Sequence, residues 1–154
     1  MSWKVYRDGA SEGTGVRRLR LLIVDDEARI LESLAEVLGE AFEVITATSG
    51  DEALAAFDAQ SPELVLSDQR MPHRTGIDLL KEIQAREPSC VRMLITGYSD
   101  IDAVIDAVNH QVLYRYVSKP WENDELRAIV FGGARKWLDD AGVTDEALRR
   151  RYAP

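Results

Sequence analysis

A short apolar run ends in a polar or acidic residue, a segment with helical spacing follows, and the pattern comes round five times along the chain. The first run lies in "LRLLIVDDE", where Leu21, Leu22, Ile23 and Val24 are continuous before Asp25 and Asp26; the later ones are "FEVITA", "ELVLSD", "VRMLITG" and "LYRYVSKP". Runs this short, apolar at consecutive positions and rich in branched residues, suit strands covered on both faces, as in a parallel sheet. Between them, Ala28 to Glu40 sets Ile30, Leu31, Leu34, Val37 and Leu38 on one helical stripe. Gly39 stands where such a helix commonly stops. Ser49 and Glu52 have capping-box spacing ahead of "EALAAFDAQ". Thr75-Gly76 precedes "LLKEIQARE", and "DIDAVIDAVNH" and "NDELRAIVFGGARKWL" complete the helical set, the last with a weak middle at Gly132-Gly133.

This alternation predicts an α/β fold: a doubly wound, five-stranded parallel sheet with helices on both faces. Right-handed crossovers leave few topologies, and a flavodoxin-like strand order, 2-1-3-4-5, is the expected one. Residues 1–18 include "RDGASEGTG" and predict a flexible N-terminal tail. Residues 19–138 form the domain. Residues 139–154, with the short helical stretch "TDEALRRRY", read as a C-terminal extension or a linker to an output domain.

Composition removes several functions. The formal net charge of -8 argues against direct nucleic-acid contact, which needs clustered Lys and Arg. The two basic runs, Arg17-Arg18-Leu19-Arg20 and Arg149-Arg150-Arg151, read as solvated flanks. A single cysteine, Cys90, excludes an internal disulfide or a cysteine metal cluster and fits a reducing compartment. With no apolar stretch of spanning length and no hydrophobic signal core, no membrane role and a cytoplasmic location are expected.

The chemistry gathers at the carboxyl ends of the expected strands, where open α/β sheets bind ligands. Those ends carry Asp25-Asp26, Asp68, Thr96-Gly97 and Ser118-Lys119-Pro120. In the order 2-1-3-4-5 the strands ending in Asp25-Asp26 and in Asp68 are neighbours, so their acids converge. Three carboxylates in one pocket repel unless a cation sits among them. Oxygen ligands without His or Cys suit Mg²⁺ or Mn²⁺, which also take phosphate oxygens. Asp68 could then be a nucleophile toward a phosphoryl group, with Lys119 neutralising charge.

At these residues the chain resembles a response regulator receiver domain of two-component signalling. "LLIVDDE", "LVLSDQRMPHRTGIDLL", "MLITGY" and "YRYVSKPW" carry the resemblance over about three quarters of the chain, residues 20 to about 138. It implies that Asp68 is the phosphoacceptor, that Asp26 is a direct metal ligand with Asp25 its acidic partner, and that the backbone carbonyl of Arg70 also ligates the metal. It implies that Thr96 and Tyr116 form the switch, that Lys119 pairs with the phosphoryl group, and that Pro120 follows a cis bond. Arg70 and Tyr98, both bulky, are expected to screen the phosphoryl group from water. The implied partners are a sensor histidine kinase or phosphotransfer protein and an output domain or partner protein. Homodimerisation, through the signalling face or the C-terminal segment, stays open. The implied chemistry is self-phosphorylation and autodephosphorylation, not turnover of a separate substrate. "VLYRYVSKPW" also resembles receivers joined to regulators of hydrogenase genes or to cyclic-nucleotide output domains.

Two rival readings use the same residues. A dehalogenase-type phosphatase needs a second Asp two positions after the nucleophile, where this chain has Arg70. A phosphorylation-independent interaction module usually lacks one of the acids or the Lys, all of which are present here. His73 and His110 read as solvated surface histidines, and Cys90 as a packed one. Gly13-Thr14-Gly15 precedes the first strand instead of following it, so it is not a dinucleotide motif.

Overall fold

The computed structural model describes the backbone of Lys4–Tyr6 and residues 17–154. Its elements run in chain order β1 (Lys4–Tyr6), β2 (Arg20–Val24), α1 (Ala28–Leu38), β3 (Glu43–Ala47), α2 (Gly50–Gln60), β4 (Leu64–Asp68), α3 (Gly76–Arg86), β5 (Val91–Thr96), α4 (Ile101–Asn109), β6 (Arg115–Ser118), α5 (Asn123–Asp140) and α6 (Glu146–Arg151). The sheet order is β1-β3-β2-β4-β5-β6. Strands β2 to β6 are all parallel and stand in the expected order 2-1-3-4-5. The addition is β1, paired antiparallel to β3 along Lys4↔Thr46 to Tyr6↔Val44, within the segment whose composition predicts a tail. The remainder of that segment through Val16, with Gly13-Thr14-Gly15, lies outside the described residues.

Alternation along each strand divides the core in two. Leu21, Ile23, Leu64, Leu66, Met93 and Ile95 face α1 and α5, where Leu31, Leu34, Leu38, Leu126 and Val130 meet them. Leu22, Val24, Ile45, Val65 and Leu94 face α2, α3 and α4, against Leu54, Phe57, Leu80, Ile83 and Val104. β2, β4 and β5 therefore need apolar residues at consecutive positions, because neither face meets water. Ser49 caps α2 as its spacing predicts, while the Glu52 carboxylate accepts from the Thr48 amide and hydroxyl, and Thr75 adds a cap to α3 not expected from the sequence. Ser49 Oγ accepts from the Glu52 amide and Thr75 Oγ1 from the Asp78 amide, each at 3.2 Å.

Gly133, in the expected weak middle of α5, packs against the sheet. A Cβ there would lie 3.1 to 3.3 Å from Met93 Sδ, Leu64 Cδ2 and Val91 Cγ1, so the missing side chain lets the helix sit close to the sheet. That close approach offsets the helical propensity lost at glycine.

The segment 139–154 is also more than an extension. Tyr152 is fully buried and Leu148 nearly so. The Tyr152 hydroxyl accepts from the Leu19 amide at 2.9 Å and donates to the Ala41 carbonyl at 2.7 Å. Its ring stacks with Phe42, centroids 4.9 Å apart, and meets Phe131 edge-on. Nothing in the spacing of "TDEALRRRY" announces this, because the partners come from the residue before β2, the turn after α1, and α5. The basic runs are similarly engaged. Arg17 pairs with Glu63, the buried Arg18 donates to the Gly39 carbonyl, and Arg149 pairs with Asp139.

Tyr152→Ala is expected to cost about 3–5 kcal/mol of unfolding free energy, as for other buried aromatics. Tyr152→Phe, which orphans the Leu19 amide and the Ala41 carbonyl, should cost about 1–3 kcal/mol. Urea denaturation measures both; a loss within error for Tyr152→Ala would show that the segment is peripheral.

Candidate functional site

β2 and β4 are adjacent in the sheet, and both end at the same pole. Asp25 and Asp26 follow β2 directly and Asp68 closes β4. One carboxylate oxygen from each lies within 4.8 Å of the other two. Asp25 and Asp68 are buried and Asp26 is exposed. Lys119, one residue past β6, donates from Nζ to Asp68 Oδ1 at 2.6 Å. The Lys119 amide also donates to the Thr96 carbonyl at 2.9 Å, tying the ends of β5 and β6 together, and the Lys119–Pro120 peptide is cis. One ammonium thus faces three acids.

The electrostatics show the resulting tension. Burial, opposed by the Glu27 amide and abetted by the charge of Asp68, pushes the Asp25 carboxyl up to about 6. The Glu27 amide donates to Asp25 Oδ1 at 2.9 Å, but Asp25 Oδ2 is buried with no hydrogen-bond partner. Burial alone would lower the Lys119 ammonium; the hydrogen bond and charge of Asp68 outweigh it, and the net shift is upward. A buried acceptor without a donor, in an all-oxygen set, fits a hard divalent cation, with Asp25, Asp26 and Asp68 as the groups that would hold it.

The other expected site residues are near but less engaged. Thr96 is buried at the end of β5, and its hydroxyl makes only a 3.3 Å contact to the Gly97 carbonyl. Tyr116 is half-buried against the core cluster shared by α2, α3 and α4. Arg70 differs from expectation: its guanidinium turns to Ser99 Oγ at 2.6 Å and Asp100 Oδ2 at 3.1 Å, bracing the loop before α4. Tyr98 is 91% exposed and covers nothing. Neither side chain screens Asp68 in this conformation. His73 is exposed on a left-handed backbone, φ 70°, and His110 caps the end of α4 through the Asp106 carbonyl.

Three supporting residues are not legible from spacing. Gln69 is buried; its Oε1 accepts from the Ile77 amide at 2.9 Å and its carbonyl accepts from the Gly76 amide at 2.9 Å. Gly76 must lack a Cβ, which would stand 2.3 Å from the Asp68 carbonyl oxygen. Arg92, inside the otherwise apolar β5, donates to the carbonyls of Val112 and Cys90 at 2.8 and 2.7 Å, and to those of Pro88 and Gln111. It ties the loop between α4 and β6 to the sheet. The only signal in the sequence is a charge where the pattern asks for an apolar residue.

Comparisons with known proteins agree with this geometry. The family model for the response regulator receiver domain matches residues 21–131. The chain is 43% identical over 110 residues to the hydrogenase transcriptional regulatory protein HoxA of Cupriavidus necator, covering 71% of this chain and 23% of that protein. It is 38% identical to the DNA-binding transcriptional regulator NtrC of Salmonella typhimurium, covering 70% and 23%. The chain thus spans about a quarter of the length of these relatives. A solved response regulator receiver domain from Clostridium thermocellum superposes with a TM-score of 0.72 at 28% identity, covering 82% of this chain and 99% of that one.

A raised Asp25 destabilises the metal-free fold at neutral pH. Well below the unfolded value of 3.8 the carboxyl is protonated folded or unfolded and contributes nothing. As pH rises toward about 6, the unfolded chain releases the proton that the folded chain keeps, and stability falls by up to about 3 kcal/mol. In chelator-treated protein, Asp25→Asn should therefore be the more stable form at pH 7, the difference vanishing well below pH 3.8; parallel stability–pH curves would contradict this. Gly76→Ala should cost about 1–3 kcal/mol by overpacking and weaken magnesium binding, read from urea unfolding and a magnesium titration.

Proposed function

This chain belongs to the response regulator receiver domain family, and from that premise we propose that it is a phosphorylation-driven switch whose acceptor is Asp68. The observation that carries the reading is the convergence of Asp25, Asp26 and Asp68 with the Lys119 ammonium 2.6 Å from Asp68. A carboxylate oxygen of Asp68 attacks the phosphorus of a phosphohistidine on a histidine kinase or phosphotransfer protein. The oxygen–phosphorus bond forms, the phosphorus–nitrogen bond breaks, and the departing imidazole keeps the electron pair and takes a proton. A bound Mg²⁺ would supply positive charge to the transferring group. Lys119, more than a third exposed, is reachable by an incoming donor and can exchange its Asp68 partner for a phosphoryl oxygen.

Thr96 is poised for the next step. Its hydroxyl is buried beside the pocket and weakly engaged, so a new dianion would recruit it at little cost. Movement of Thr96 frees space for Tyr116, and the face made by α4, β6 and α5 changes with it. We assign Arg70 a bracing role on the loop before α4, with its carbonyl free to ligate the cation. The cycle ends when water attacks the aspartyl phosphate, breaking the oxygen–phosphorus bond to release inorganic phosphate and restore the Asp68 carboxylate. We place the chain in the cytoplasm, where kinases of this type act. Transcriptional control is the proposed output, by likeness to HoxA and NtrC.

Acetyl phosphate with magnesium should add one phosphoryl mass to the intact chain. The adduct should disappear in Asp68→Ala and when magnesium is withheld. A wild-type chain that stays unmodified under these conditions would favour the phosphorylation-independent module instead.

A further inference from the structure

The far end of α1 carries a second polar depression. α1 starts beside Asp26, and Val37 lies nine residues further on, on the order of 14 Å at 1.5 Å per residue. There a cavity of about 230 Å³ opens between α1, α5 and α6, lined by Val37, Glu40, Ala41, Arg127, Phe131 and Arg151. In a chain with 27 acidic and 19 basic residues, acidic partners for arginine are plentiful. The arginines next door have them: Arg149 pairs with Asp139 and Arg150 with Glu146. Arg151 Nε, however, is buried with no hydrogen-bond partner. Arg127 has only a long contact, 3.4 Å, to the Val37 carbonyl. Among the described residues neither forms an ion pair.

The site is held in place. Leu148 and Tyr152, on either side of Arg151, are buried, and Arg135 donates to the Tyr152 carbonyl at 2.7 Å. Arg151, held by its buried neighbours, and the exposed Arg127 together line the depression, and two guanidiniums suit a planar carboxylate, which accepts from an arginine fork. The walls, Val37, Ala41 and the Phe131 ring, are apolar. The volume is below the roughly 300–1,000 Å³ of small-molecule sites, which favours one inserted side chain over a whole metabolite. Glu40, also in the lining, opposes anions by its own charge and so disfavours a multiply charged ligand more than a single carboxylate. Arginine and aromatic side chains in a small pocket are also the composition of interface anchor points.

We propose that this depression anchors a partner polypeptide by one acidic side chain flanked by an apolar residue. The anchor needs neither the cation nor phosphorylation of Asp68, so its test is separate from the switch. The ¹⁵N-labelled chain would be titrated with acetyl-Glu-Phe-amide, acetyl-Gln-Phe-amide, acetate and inorganic phosphate, following the arginine Nε–Hε signals. The expected result is a saturable shift at Arg151 and Arg127 with the Glu peptide. Binding of the Gln peptide and of either simple anion should be weaker by about tenfold or more, about 1.4 kcal/mol. Arg151→Gln should abolish the response and Arg151→Lys retain part of it. Arg127→Gln, on the exposed side of α5, should weaken it without touching the Tyr152 packing. Absence of saturation, equal binding of the Gln peptide, equal binding of acetate or phosphate, or a response that survives both Gln variants would each overturn the proposal.

Discussion

Three carboxylates, each with one oxygen within 4.8 Å of the others, are held together against their mutual repulsion, and the surrounding architecture holds them there. Among the described residues the cation that pairs with them is Lys119. The unmet acceptor on Asp25 and its upward-shifted carboxyl measure the remaining imbalance. A fold that accepts such strain at one pole must be well secured elsewhere. Here the security comes from two apolar layers on a sheet whose central strands never meet water.

The means of holding the acids in place are local and mostly main-chain. Asp68 is fixed from behind by the close approach of Gly76 and by Gln69, which joins the end of β4 to the start of α3. Lys119 is fixed by its amide on the Thr96 carbonyl, so the residue that neutralises Asp68 and the hydroxyl at the end of β5 share one connection. On the opposite edge of that region, Arg92 gathers the carbonyls between α4 and β6, and Arg70 braces the loop before α4. The pieces expected to move are thus tied by hydrogen bonds that can be exchanged, while the pieces expected to stay are packed. That division is what a two-state element requires.

The far pole reverses the electrostatic problem. There Arg127 and Arg151 line one depression, and among the described residues neither forms an ion pair, in a protein that has an excess of acid. Both poles carry unmet charge on well-packed supports, negative at the ends of β2 and β4 and positive where α6 closes against α1 and α5. A charge left unmet on a packed backbone favours a ligand of opposite sign, since less of the support has to be ordered on binding.

Much of this was legible in the residues. Continuous apolar runs ending in Asp25-Asp26, Asp68, Thr96 and Lys119 are local patterns, and a parallel sheet brings the ends of its strands to one side, so fold class, strand order and the converging acids follow from spacing. The edge strand β1, the burial of Tyr152, the direction of the Arg70 guanidinium and the fit of Gly133 and Gly76 do not. Each depends on a partner distant in sequence: Tyr152 meets Leu19 and Ala41, Arg70 meets Ser99 and Asp100, and Gly133 meets Met93 and Leu64. Periodicity reports which face of an element is apolar; which neighbour fills the space beyond that face is set only when the chain closes on itself.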